Sequence, residues 1–176
     1  MQKLVSIKVL ANFLDRRRNI KMKKTRAIFF ILTMITFITI FMFSNQTGEE
    51  SGRTSRGFTK GILELIPTVK NLDEERKKEI IENTQTIVRK LAHFSIYTVL
   101  GINLMGFINT YDKLKTKHKI LITIFIGSMY AVSDEFHQMF SGGRTPAVMD
   151  VCIDSLGVIF GLMIYSLFNK VKLRKA

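Results

Sequence analysis

From Ala27 to Phe43 the chain runs seventeen residues without a charged side chain. Three more apolar runs follow: Leu91 to Ile108, Ile120 to Val132 with a polar extension to Phe140, and about Ala147 to Phe168. A helix of about 20 apolar residues spans the hydrocarbon core of a bilayer, and lipid leaves a backbone few alternatives to a helix. The runs therefore predict an all-α integral membrane protein built as a four-helix bundle. The first run is longer than a signal-peptide core and no Ala-x-Ala site follows it, so it is read as a retained helix. The single cysteine, Cys152, excludes an internal disulfide, and there is no Cys-x-x-Cys.

The formal net charge is +13. In a soluble chain that would first suggest nucleic acid. Here the basic residues flank the apolar runs, which fits anionic lipids and argues against a nucleic-acid partner. Residues 1–26 hold nine Lys and Arg against Asp15 alone. The segment 110–119 holds four lysines against Asp112, and Lys170, Lys172, Arg174 and Lys175 follow the last run. The stretch 44–90 is nearly neutral, with nine basic and eight acidic residues. Positive-inside bias then gives an N-in/C-in topology. Residues 1–26 form a basic cytoplasmic tail and 27–168 a four-transmembrane domain. Within it, 44–90 is an extracytoplasmic loop, and 169–176 form a second basic tail.

Of the fourteen acids, only Asp134, Glu135, Asp150 and Asp154 fall within or beside the spans. In this topology all four lie at the extracytoplasmic ends of the third and fourth helices. Ionisable residues at membrane depth are costly and point to function by default. Helical spacing places Gly127, Ala131, Asp134 and Gln138 on one face, and Asp150, Asp154, Gly157 and Gly161 on another. Lys90, His93, Tyr97 and Gly101 make a third such stripe. Gly157 and Gly161 form a G-x-x-x-G step that lets helix backbones approach closely. Small residues would pack the deep part of the bundle, leaving a polar cup at its outer end.

The outer loop carries Phe58, Ile62 and Leu65 at helical spacing, which predicts a short amphipathic helix halted near Pro67. It would lie on the headgroups or pack on the bundle. Asn71 followed by Glu74 resembles a helix start. Thr33, Thr36 and Thr39 are read as back-bonding or packing groups, and Ser141 to Pro146 as a tight turn.

The cup supplies His93, Asp134 and His137 as candidate acid–base groups. Arg89, Lys90 and Arg144 are candidates for holding an anion, with Tyr97, Glu135, Gln138, Asp150 and Asp154 completing the ligand-binding set. Glu135 lies a hundred degrees round its helix from Asp134 and is free to pair with Arg89 or Lys90. Asp134 in turn has Lys90 and Arg144 as candidate partners. A divalent metal on imidazole and carboxylate ligands fits the residue types, but no strict ligand spacing such as H-E-x-x-H names its ligands, and no other cofactor is predicted. A structural polar cap, a non-catalytic accessory or binding membrane protein, and a cation or proton transporter are the competing readings. Transport is the weakest, because the polar groups gather at one end.

The chain resembles the VanZ-like family of small bacterial membrane proteins. The matching pieces are Phe43-Ser44-Asn45-Gln46, then Arg89-Lys90-Leu91-Ala92-His93-Phe94 with Tyr97, Leu100 and Gly101. Ser133-Asp134-Glu135-Phe136-His137-Gln138, Gly143-Arg144, and Asp150 with Gly157 and Gly161 complete the series. Asp154 departs from it, since the family pattern favours Asn there. The basic start to about Lys24 lies outside the resemblance, and Met22 is an alternative start. The resemblance implies a multi-pass protein of the bacterial cytoplasmic membrane. It also implies a link to resistance against teicoplanin, a lipoglycopeptide antibiotic, or a housekeeping role at the cell envelope. A lipid-linked envelope precursor or a lipoglycopeptide is then the expected ligand class. Neither oligomeric state nor catalysis follows from these residues.

Overall fold

The computed structural model describes residues 2–67, 72–140 and 147–174; for 2–11 and 171–174 only the helical backbone is described. Among the described residues the chain is all helical, with five long helices: α1 Gln2–Ser44, α2 Gly48–Leu63, α3 Glu74–Asn109, α4 Thr116–Gln138 and α5 Val148–Arg174. Three of them, α1, α3 and α5, contain stretches long and apolar enough to cross a membrane. α4 is not among these: Lys117, His118 and Lys119 open it and Asp134, Glu135 and His137 close it, which shortens its apolar stretch.

Helix limits differ from the apolar runs where charge does not oppose helix formation. α1 starts at Gln2 rather than near Ala27. No Pro or Gly occurs before Gly48, so nothing local ends the helix between the basic segment and the apolar run. α3 likewise absorbs the charged stretch before Leu91. Its N-cap is Asp73, whose carboxylate accepts the Arg76 N–H at 2.8 Å, a short side chain meeting an orphan donor. Asn71 lies outside the described residues. The Glu74–Lys77 pair at 2.8 Å then decorates the exposed first turn.

The expected amphipathic helix is α2. Thr47 and Glu50 close a capping box: the Glu50 N–H donates to the Thr47 hydroxyl at 3.2 Å, and the Thr47 N–H to Glu50 Oε2 at 2.9 Å. The helix ends at Leu63, four residues before Pro67, in two tight turns from Ile62 and Leu63. It packs on α3; Ser51 and Thr59 are buried, while Phe58 and Ile62 stay exposed.

α3 is the hub and touches every other helix. The core joins Ile40 of α1, Tyr97, Leu100 and Leu104 of α3, Ala131 of α4 and Val158 of α5. Glycines set the closeness of the crossings. Val158, fully buried, sits against both Gly101 and Gly127. A Cβ on Gly157 would lie 2.6 Å from the Phe94 carbonyl oxygen, and one on Gly161 would collide with the Thr98 carbonyl. Outside this core, α1 exposes Ile28, Ile31, Ile35, Ile38 and Phe41, an apolar outer surface suited to lipid rather than water.

Two polar ends complete the arrangement. At one end, Arg26 donates to the Thr110 hydroxyl and carbonyl, both at 3.0 Å, and covers the Tyr111 ring. Nearby, Lys119 is buried and donates to the Asn109 carbonyl at 3.2 Å and its side-chain oxygen at 3.1 Å. Lys119 therefore closes the C-terminus of α3 rather than extending into solvent as a loop lysine. The other end gathers the chain from Ser44, Lys90, Gln138 and Val148. Thr33, Thr36 and Thr39 back-bond to the carbonyls four residues earlier at 2.7 to 2.8 Å. Thr36 also accepts from Asn103 at 3.0 Å, tying α1 to α3.

Candidate functional site

The glycine crossings determine what lies above them. One helical turn beyond Tyr97 is His93, and one turn before Gly157 is Asp154. Because α3 and α5 nearly touch at the glycines, those two side chains meet: His93 Nδ1 is 3.6 Å from Asp154 Oδ2. A further turn out, Lys90 Nζ donates to Asp150 Oδ1 at 2.8 Å. Lys90, His93, Tyr97 and Gly101 thus face Asp150, Asp154, Gly157 and Gly161 along a shared seam.

α4 delivers the third wall. Gly127, Ala131, Asp134 and Gln138 are all buried, so this stripe also faces inward. Asp134 is 4% exposed and Asp154 2%. Gln138 donates to Asp134 Oδ2 at 3.0 Å, which orients that carboxylate. Tyr97, wholly buried, has its ring 6.4 Å from that of Tyr130. One ligand atom from each of His93, Asp134 and Asp154 lies within 4.8 Å of the other two. Asp154 Oδ1 is buried and meets no hydrogen-bond partner.

Other sequence-derived partners are redistributed. Glu135 pairs with neither Arg89 nor Lys90. It is buried and accepts the Ala147 N–H at 2.7 Å, so it clamps the end of α4 to the start of α5. The rotation that turns Glu135 away from Asp134 aims it at the α5 entry rather than at α3. Asp134 does not take Lys90, because Asp150 holds it. His137 faces α1 instead of the buried carboxylates: its ring stacks on Phe41 at 4.9 Å, and Nε2 lies 3.4 Å from Asn45 Oδ1. Arg144 and the turn Ser141 to Pro146 lie outside the described residues.

A groove opens beside this cluster. It encloses about 260 Å³ between the end of α1, α2 and α3, and Arg89 and His93 line it together with Ile40, Phe43, Phe58 and Ile96. Ser51, Thr54 and Ser55 of α2 add hydroxyls. The α2 contribution was not anticipated from the sequence, although Thr47-x-x-Glu50 marks the start of that helix. His93 belongs to both features: one side of its position borders the groove, the other the Asp154 carboxylate.

Chemically, the site holds an imidazole against a buried carboxylate, a geometry suited to orienting a tautomer or stabilising an imidazolium. An apolar groove with Arg89 among its lining residues adjoins it. No curated protein and no solved structure matches the chain. A family model described as VanZ/LLP1 matches residues 29–169, a span that includes every described residue of the cluster and the groove. With most of its length matched, the chain belongs to the VanZ/LLP1 family.

Proposed function

We propose that this protein is a multi-pass protein of the bacterial cytoplasmic membrane that binds an anionic, lipid-linked envelope molecule at the outer end of a four-helix bundle. The groove carries the reading. Its apolar walls suit an acyl or prenyl chain, Arg89 suits a phosphate or carboxylate, and His93 connects the bound headgroup to buried Asp154. α4 supports a fourth crossing, because its polar residues Asp134, Glu135 and Gln138 are buried while Leu121, Phe125, Met129 and Phe136 are exposed. Polar groups turned into protein and apolar groups turned outward are what lipid requires. The Arg26, Lys113, Lys115 and Lys117 end lies in the cytoplasm by the positive-inside rule, which directs the groove outward and keeps both termini inside.

Sequestering a wall precursor in such a groove would also account for protection against teicoplanin. The test has two arms. Native mass spectrometry of the purified chain with phosphatidylglycerol or a polyprenyl phosphate should show bound lipid that Arg89→Ala loses and Glu79→Gln keeps. A teicoplanin-sensitive host expressing the wild type should be protected, and Arg89→Ala or Asp134→Asn should abolish protection at equal membrane levels. Lipid bound equally by Arg89→Ala removes the groove from the function. A covalently altered lipid in the wild-type sample would identify modification in addition to binding.

A further inference from the structure

We propose that His93, Asp134 and Asp154 form a binding site for one first-row divalent cation, zinc by preference. Three helices deliver the ligands: His93 from α3, Asp134 from α4 and Asp154 from α5. One potential ligand atom from each lies within 4.8 Å of the others. The glycine-lined crossings below hold those helices at fixed separation, so closing the atoms around an ion needs only side-chain rotation. Zinc bonds to His nitrogen and carboxylate oxygen are each about 2.0–2.2 Å long.

The second observation is the Asp154 carboxylate itself. The residue is 2% exposed, yet its Oδ1 meets no hydrogen-bond partner. Its Oδ2 is 3.6 Å from His93 Nδ1, long for a hydrogen bond. A buried carboxylate oxygen without a donor is costly, and a second buried carboxylate, Asp134, stands beside it. One proton or one imidazolium compensates one of these charges, whereas a divalent cation compensates both. Gln138 already fixes the orientation of Asp134 by donating to Oδ2 at 3.0 Å, in the manner of the outer-sphere partners that orient metal ligands. Lys90 is engaged at 2.8 Å by Asp150 one turn away.

The donor set selects the ion class. Imidazole with two carboxylates suits zinc and its first-row neighbours. Magnesium prefers oxygen and retained water, and calcium takes six to eight oxygens. Three protein ligands leave a coordination position for water or an anionic group. This inference deepens the groove reading and rests on it for one point only, that an anionic headgroup reaching His93 would meet the ion.

The test uses the full chain in detergent, stripped with EDTA and re-exposed to zinc alone. Bound metal is measured by mass spectrometry, and the thermal midpoint with and without zinc. The wild type should hold about one zinc per chain and melt higher with it, while magnesium and calcium leave the midpoint unchanged. Asp154→Asn and His93→Gln should each weaken zinc binding at least about tenfold. Asp154→Asn should retain a zinc-free midpoint at or above that of the wild type, because it removes a buried charge; that separates a lost ligand from a lost fold. A wild type that takes up no zinc, or variants that bind it as well as the wild type does, overturns the site. Phosphatidylglycerol binding to the same sample in EDTA reads the groove separately, so failure of one reading is not mistaken for failure of the other.

Discussion

Lys90 Nζ stands 2.8 Å from Asp150 Oδ1, one turn above the contact between His93 and Asp154. The pair joins α3 to α5 at the rim of the site, with the two side chains 36% and 32% exposed. Deeper in, the carboxylates are nearly inaccessible to water. A gradient from half-solvated to buried charge thus runs down a single helix seam.

The exposure of the rim pair limits its energetic value. A double-mutant cycle of Lys90→Met and Asp150→Asn, followed by thermal unfolding in detergent, should give a coupling of about 0–1 kcal/mol. A coupling of several kcal/mol would mean that the rim is dry in the membrane-embedded protein.

The α3–α5 crossing should be far less tolerant. A side chain at Gly161 collides with the Thr98 carbonyl, and backbone cannot yield as a side-chain tip can. Gly161→Leu should cost more than the ~1–3 kcal/mol typical of overpacking and remove the monodisperse species from size exclusion. Gly57 of α2 has nothing within 4 Å of an added Cβ, so Gly57→Ala should stabilise that helix by about 0.5–1 kcal/mol. Equal tolerance at both positions would contradict the crossing.

The capping box of α2 predicts a pH dependence. The Thr47 backbone N–H, then its hydroxyl, holds the Glu50 carboxyl below its ordinary value. A depressed carboxyl stabilises the folded form above its unfolded pKa, and that contribution disappears as pH falls through the folded value. Hydrogen exchange at Ser51 to Ser55 should therefore stay protected until the pH drops below the ordinary glutamate range, then accelerate. Glu50→Ala should exchange faster at neutral pH and lose that acid-side step.

Orientation is open to a direct measurement. In a Cys152→Ser background, an impermeant maleimide added to intact cells should label Gly57→Cys on α2 and leave Lys115→Cys untouched. The reverse pattern would invert the topology and place the groove in the cytoplasm.

Much of this architecture was legible in the chain. The apolar helices and the inward stripes of α3, α4 and α5 follow from apolar length and three- and four-residue spacing. So do the threonine back-bonds of α1. The family assignment also followed from local motifs. These features depend on neighbours along one helix, and a periodic sequence displays them directly.

Partner choice between helices was decided only in three dimensions. Lys90 had Asp134 and Glu135 as candidates and took Asp150 instead; His93 met Asp154; Glu135 took a backbone N–H; His137 turned to Phe41 and Asn45. Spacing gives the angle of a side chain around its own helix, but the rotation of one helix against another depends on the contacts at Gly101, Gly127, Gly157 and Gly161 together. The placing of α2 over α3, which creates the groove, likewise depends on Ser51, Thr59 and the half-exposed Arg56–Glu82 pair at 3.7 Å. Ser51 and Thr59 are polar and mark no apolar stripe, and Glu82 is far from Arg56 in sequence, so the helices were determined by the sequence pattern and the site by how they pack.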